Sequence, residues 1–202
     1  MKKLFLLLLF IPLVFFGQEE LKFFVKGKKN FEKEIYDKAA TYLNNALELN
    51  PSYVDAHFYT GLLNTKLKQY DKAISNYNKV LELDSYNELA YLNRGRINYI
   101  LKNREAAQSD FKNAIEIDSK FIEAYENLVL VSQSLKDYNT GILAITKLIE
   151  FNPDFRNYFR RGLIKYRMGD KVGACKDASK SKKLNPNFYW NNELIKNSCT
   201  GM

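Results

Sequence analysis

The chain has 202 residues, 46% of them hydrophobic and 27% charged, which is ordinary for a folded soluble protein and enough for one domain. One histidine and two cysteines cannot assemble a conventional zinc site. The formal net charge is +8, but basic residues are scattered among acidic ones with no Lys/Arg block, so the pattern excludes a nucleic-acid reading and suits attraction to acidic proteins or anionic envelope surfaces.

The first stretch, MKKLFLLLLFIPLVFFG, has two lysines followed by an apolar run, Leu4 to Phe16, that falls short of the roughly 20 residues needed to cross a bilayer. It reads as a secretory signal peptide over residues 1–17, with cleavage near Gly17 or Gln18 and the mature protein exported to the periplasm or the extracellular space. An uncleaved anchor is the alternative. Stable membrane insertion is not expected once the signal is removed. Loss of Lys2 and Lys3 lowers the formal charge from +8 to +6.

From there the apolar residues fall at i, i+3, i+4 and i+7 in successive windows. The spacing predicts helices near 21–33, 36–49, 55–67, 70–83, 88–101, 104–117, 122–135, 138–151, 155–168 and 171–184, with no Gly/Ser/Pro linker up to Phe188. Gly27, Gly61 and Gly95 are 34 residues apart, as are Ala39, Ala73 and Ala107. A period of that length is the mark of stacked helix pairs. A short amphipathic segment after Pro186, residues 189–199, is expected to cap the last apolar face.

With these residues in register the chain resembles the tetratricopeptide repeat family. Its pattern places an aromatic at position 4, Gly at 8, Tyr at 17, Ala at 20, a large apolar residue at 24, Ala at 27 and Pro at 32. Repeat 1 (about 20–53) keeps Phe23, Gly27, Tyr36, Ala39, Leu43, Ala46 and Pro51. Repeat 2 (54–87) has His57, Gly61, Tyr70, Ala73, Tyr77 and Val80; repeat 3 (88–121) has Tyr91, Gly95, Ala107, Phe111 and Ala114. Repeat 5 (155–188) keeps Tyr158, Gly162, Ala174 and Pro186. Repeat 4 (122–154) has Val129 at position 8 and Gly141 at position 20, a swap that is expected to conserve volume if the two positions face each other. The resemblance implies an all-α, right-handed solenoid of about five helix pairs with a C-terminal capping helix, forming one domain over residues 18–202.

Chemistry is sparse. There is no GxxxxGK[ST], GxSxG or GxGxxG, and His57 occupies an aromatic packing position. No enzyme and no cofactor are expected. The resemblance instead implies a protein or peptide partner held along the concave face by first-helix positions, with Phe58, Leu92, Arg96, Tyr99, Arg156, Phe159 and Tyr166 as its lining. A structural subunit of an envelope complex is the alternative function. In family members that clamp a peptide carboxylate, the matching places here hold Leu92, Arg96, Asn127, Arg156 and Arg160; guanidinium forks suit carboxylates. The competing reading is that Glu123 and Glu126 pair with Arg156 and Arg160 in a solvated face.

Cys175 and Cys199 lie eleven residues before and twelve after a turn near Pro186 and Asn187, so antiparallel segments would bring them to similar height. GACKD followed by ELIKNSC is also similar to the closing segment of exported tetratricopeptide proteins, which implies a disulfide. A buried free thiol with a terminal one is the alternative. Trp190 is a candidate to fill the space above the small Ala178.

Overall fold

The structure, a computed structural model, describes residues 4–186, 196 and 198–200, with side chains from Gln18 onward in the first helix. Ten helices follow one another, and no strand occurs among the described residues. They are α1 (Leu4–Glu32), α2 (Tyr36–Leu49), α3 (Val54–Lys66), α4 (Tyr70–Leu83) and α5 (Glu88–Ile100), then α6 (Arg104–Ile117), α7 (Ile122–Leu135), α8 (Tyr138–Phe151), α9 (Phe155–Arg167) and α10 (Lys171–Leu184). Every predicted boundary from residue 36 onward holds within one residue. The first does not: α1 starts at Leu4 rather than near 21, because Gln18, Glu19 and Glu20 offer neither a cap nor a breaker to stop a helix. The predicted cap falls mostly outside the described residues, and Trp190 lies outside them entirely.

The same turn chemistry recurs at each level. Within each pair the first helix ends on a residue with positive φ: Glu34 (59°), Lys68 (58°), Lys102 (67°), Lys136 (59°) and Gly169 (88°). The amide of the following residue then reaches back across the turn, as in Gln69 N to Asn64 O (2.8 Å), Asn103 N to Asn98 O (2.8 Å) and Asp170 N to Lys165 O (2.9 Å). This is the Schellman closure, which satisfies carbonyls that the helix end leaves unpaired. Between pairs the second helix ends in an extended Asn or Asp, and Asn50, Asp84 and Asp118 each accept from the amide two residues on, at 3.0, 3.1 and 2.9 Å. A side chain that mimics a backbone turn leads directly into the next pair.

The chain forms two compact units, Met1–Ile97 and Asn98–Met202. In the first, Phe24, Ala39, Leu43, Ala46, Ala56 and Leu63 form one buried cluster, and Ala73, Tyr77, Val80, Ala90 and Ile97 form another. In the second, α6 to α10 pack each on the next and bury Phe111, Val129, Ile145 and Ile164 among others.

In repeats 1 and 2 the helices meet tightly at position 8, and the side chain met there is at position 24; in repeat 5 a Cβ on Gly162 would first meet the Ala174 carbonyl of position 20, at 3.3 Å. A Cβ on Gly27 would lie 2.8 Å from Leu43 Cγ, and one on Gly61 would lie 2.8 Å from Tyr77 Cε1. Position 20 is different. A Cβ on Gly141 would meet only Ser132 Cβ and Ile164 Cδ1, both at an ordinary 3.6 Å. The expected exchange of volume between Val129 and Gly141 is therefore not what repeat 4 does. Val129 at its position 8 and Ile145 at its position 24 are both fully buried.

Candidate interaction site

The first-helix positions do not share one environment. In the first unit Phe58 is half-buried, edge-on to Tyr59 and Tyr77 with ring centroids 6.1 and 5.9 Å away, and it packs against the second core cluster. Leu92 is 1% exposed and cannot line a binding surface, which corrects its expected role. The reason lies in α5. Ala90 and Ile97 share one face, Leu92 sits nearly opposite them, and all three are buried, so this helix is covered on two sides. Arg96 is half-exposed and close enough to Tyr77 to favour its ionised form slightly. Burial dominates there, and the Tyr77 hydroxyl is pushed up to about 12.

In the second unit the predicted residues are more open. Arg156 is exposed and its guanidinium stacks over Phe155 at 5.1 Å. Phe159, Arg160 and Tyr166, all on α9, are half-buried, as is Tyr99. Asn127 on α7 donates Nδ2 to the Glu123 carbonyl of its own helix at 2.7 Å. Neither arginine forms an ion pair with Glu126 among the described residues.

The strongest electrostatic feature of α9 was not anticipated. Asp177, its side chain 6% exposed, accepts from Arg161 Nε and Nη2 at 2.9 and 2.7 Å and from Lys165 Nζ at 2.8 Å. Arg161 also donates Nη1 to Thr146 Oγ1 at 3.1 Å and lies over the Tyr158 ring at 5.6 Å. The Asp177 hydrogen bond holds the Arg161 proton more tightly than usual. Two cations on one buried carboxylate leave a positive balance at the base of α9. The sequence carried a signal for it: position 23 is aspartate in repeats 3 and 5, and position 11 opposite is polar, with Asn98 bound to Asp110 at 3.1 Å as the repeat 3 counterpart.

Cys175 and Cys199 are joined in a disulfide with Cα atoms 5.2 Å apart. His57 links Pro51 O at 2.9 Å and Asn76 Oδ1 at 3.2 Å, so it ties the turn before α3 to α4 rather than packing like an aromatic. Among the described residues no group of three or more His, Cys, Asp or Glu could hold a metal ion, and no helix with described side chains is long and apolar enough to cross a membrane.

Tetratricopeptide repeat family models match residues 31–88 and 89–121. No curated protein matches the chain in sequence. Among solved structures, the crystal structure of MamA protein is 24% identical with a TM-score of 0.76, covering 84% of this chain and 93% of that one. YrrB, described as a TPR protein with an unusual peptide-binding site, is 15% identical with a TM-score of 0.72, covering 87% and 89%. The first TPR of Spaghetti (RPAP3), bound to the HSP90 peptide SRMEEVD, is 26% identical with a TM-score of 0.57, covering 59% of this chain and 94% of that one. These likenesses place the fold among all-α helical solenoids of about five helix pairs.

Proposed function

This chain is a tetratricopeptide-repeat protein, and we propose that it uses the first-helix face of its second unit to hold an acidic peptide segment of another protein. The coarser statement, a protein-interaction module, follows from the family. The observation that carries the finer one is α9, where Arg156 and Arg160 remain outside the buried ion cluster while Phe159 and Tyr166 lie half-open beside them. Aromatic surface with guanidinium forks is the usual chemistry for an apolar anchor followed by a carboxylate. The formal net charge, +6 once residues 1–17 are removed, draws such a partner in, and the peptide held by the RPAP3 repeat domain has the same acidic character.

The reading includes export, for which the charged start and short apolar run of residues 1–17 are the support. Mass spectrometry of the native protein is expected to find a first residue close to Gln18; an intact Met1 in a carbonate-resistant membrane fraction refutes export as a soluble protein.

Titration of the full chain with fluorescent seven-residue peptides ending in Asp or Glu, against their C-terminally amidated forms, tests peptide binding. Free-acid peptides are expected to bind at least about tenfold tighter, and Arg156→Ala and Arg160→Ala to erase that preference. Equal binding of both forms, or indifference to both substitutions, refutes it.

A further inference from the structure

Position 11 of the first helices is polar, and in the four repeats other than repeat 2 its side chain has a partner; in repeat 1 Asn30 donates Nδ2 to the Lys26 carbonyl at 2.7 Å. Asn98 meets Asp110, Ser132 Oγ accepts from Gln108 Nε2 at 3.2 Å, and Lys165 meets Asp177. In repeat 2 the residue is Asn64, only 9% exposed. Its backbone carbonyl accepts from Gln69 N at 2.8 Å, but its carboxamide has no hydrogen-bond partner among the described residues. Both candidate partners are missing. The repeat 1 residue in the place of Gln108 is Ala40. Asn76, in the place of Asp110, is occupied at Oδ1 by His57 Nδ1 (3.2 Å) and at Nδ2 by the Lys72 carbonyl (2.9 Å). A buried amide without a partner is costly, and such groups in native proteins call for an explanation.

Asn64 lines a cleft of about 470 Å³ bounded by α2, α3 and α4, all within the first unit. Leu47, Leu63 and Leu67 supply its apolar wall, and Asn44 and Gln69 are further carboxamides on its rim. We propose that this cleft binds a short extended peptide through its main chain, with Asn64 hydrogen-bonded to a peptide unit and the leucines receiving one apolar side chain. A carboxamide carries the donor and acceptor that a peptide unit needs, and the volume falls in the range of small-ligand pockets. Sugars fit less well, because no aromatic ring lines the cleft to stack on a pyranose face, and a lone lysine, Lys72, does not make an anion site. The site is independent of the acidic-peptide face, from which it differs in unit, helices and charge.

The test is ¹⁵N–¹H correlation spectroscopy on the full oxidised chain, titrated with the blocked tripeptide N-acetyl-Ala-Leu-Ala-amide and, separately, with maltotriose. The tripeptide is expected to shift the Asn64 side-chain NH₂ signals saturably, and maltotriose to leave them in place. Asn64→Ala is expected to weaken the titration at least about tenfold, the loss of one well-made hydrogen bond. Ala40→Gln is the second variant. It keeps Asn64, supplies the partner that Gln108 gives Ser132, fills the cleft, and is expected to abolish the shifts while the chain stays folded. Stationary Asn64 NH₂ signals, which mean that water alone serves the amide, overturn the proposal. So does preferential binding of maltotriose, or tripeptide binding unchanged by Ala40→Gln.

Discussion

Gly61→Ala and Gly141→Ala make the same chemical change in two helices and are expected to move stability in opposite directions. On Gly61 the new methyl would stand 2.8, 3.0 and 3.1 Å from Tyr77 Cε1, Cζ and Cδ1. Comfortable carbon contacts are about 3.5–4.0 Å, and Tyr77 is fully buried between α3 and its neighbours, so the ring has nowhere to retreat. Overpacking of this kind costs about 1–3 kcal/mol, and the gain in helix propensity from Gly to Ala returns about 1 kcal/mol. The net expectation is a loss of up to about 2 kcal/mol. On Gly141 the methyl would sit 3.6 Å from Ser132 and Ile164, which is ordinary contact, so the propensity gain of about 1 kcal/mol stands alone. The gap between the two variants is then about 1–3 kcal/mol, and at roughly 2–4 °C per kcal/mol for a chain of this size they should melt about 2–12 °C apart. Thermal unfolding followed by far-UV circular dichroism reads the difference. In the double variant Gly61→Ala/Tyr77→Leu the penalty of the alanine is expected to shrink, since the ring it strikes is gone. Equal melting temperatures for the two single variants, or a stabilised Gly61→Ala, refute the assignment of position 24 as the partner of position 8.

Asp177→Ala leaves the partly buried Arg161 and Lys165 without their counterion and is expected to cost about 1–3 kcal/mol, lost as amide-exchange protection in α9 and α10. Asp137 caps α8 through the Thr140 amide at 3.2 Å, and its bonds to Thr140, with Gln108 adding to them, hold its carboxyl below the ordinary 3.8. A depressed pKa means that the cap stabilises above the unfolded value and fades as pH falls through the folded one. Asp137→Ala should therefore cost about 1 kcal/mol at neutral pH and progressively less below pH 3.8 in acid-denaturation curves. Lys102→Gly relieves a side chain held at φ 67° and is expected to stabilise by about 0.5–1 kcal/mol, read from urea midpoints. Cys199→Ser opens a disulfide spanning 24 residues and is expected to cost about 3 kcal/mol, while the unreduced wild-type chain shows no reactive thiol after denaturation.

Periodicity made the helices legible. The interval of 34 residues fixes where each turn must come, and turn chemistry is local, so Lys68, Lys102 and Lys136 close their helices alike with no glycine to announce it. Side-chain fate was less legible, since it depends on which flank of a helix a neighbour covers. Leu92 and Phe159 occupy equivalent positions, yet one is buried and the other half-open. The pairing of position 8 with position 24 is likewise a matter of helix approach that spacing along one helix cannot give. Asn64 reads as an ordinary polar residue in sequence. Its isolation comes from two substitutions 12 and 24 residues away, Asn76 and Ala40, whose relevance appears only once α2, α3 and α4 are assembled.

Stacked helix pairs open most easily from their ends, where each pair has a neighbour on one side only. The bond from Cys175 to Cys199 alters that beside α10, because it ties Cys199 covalently to that helix. A carboxypeptidase or an unfolding motor that engages the tail meets a covalent ring of 24-residue span before it can peel off a hairpin. The two ends of an otherwise repetitive molecule thus yield unequally to traction and to digestion, and the ratchet is released by a thiol reductant rather than by heat.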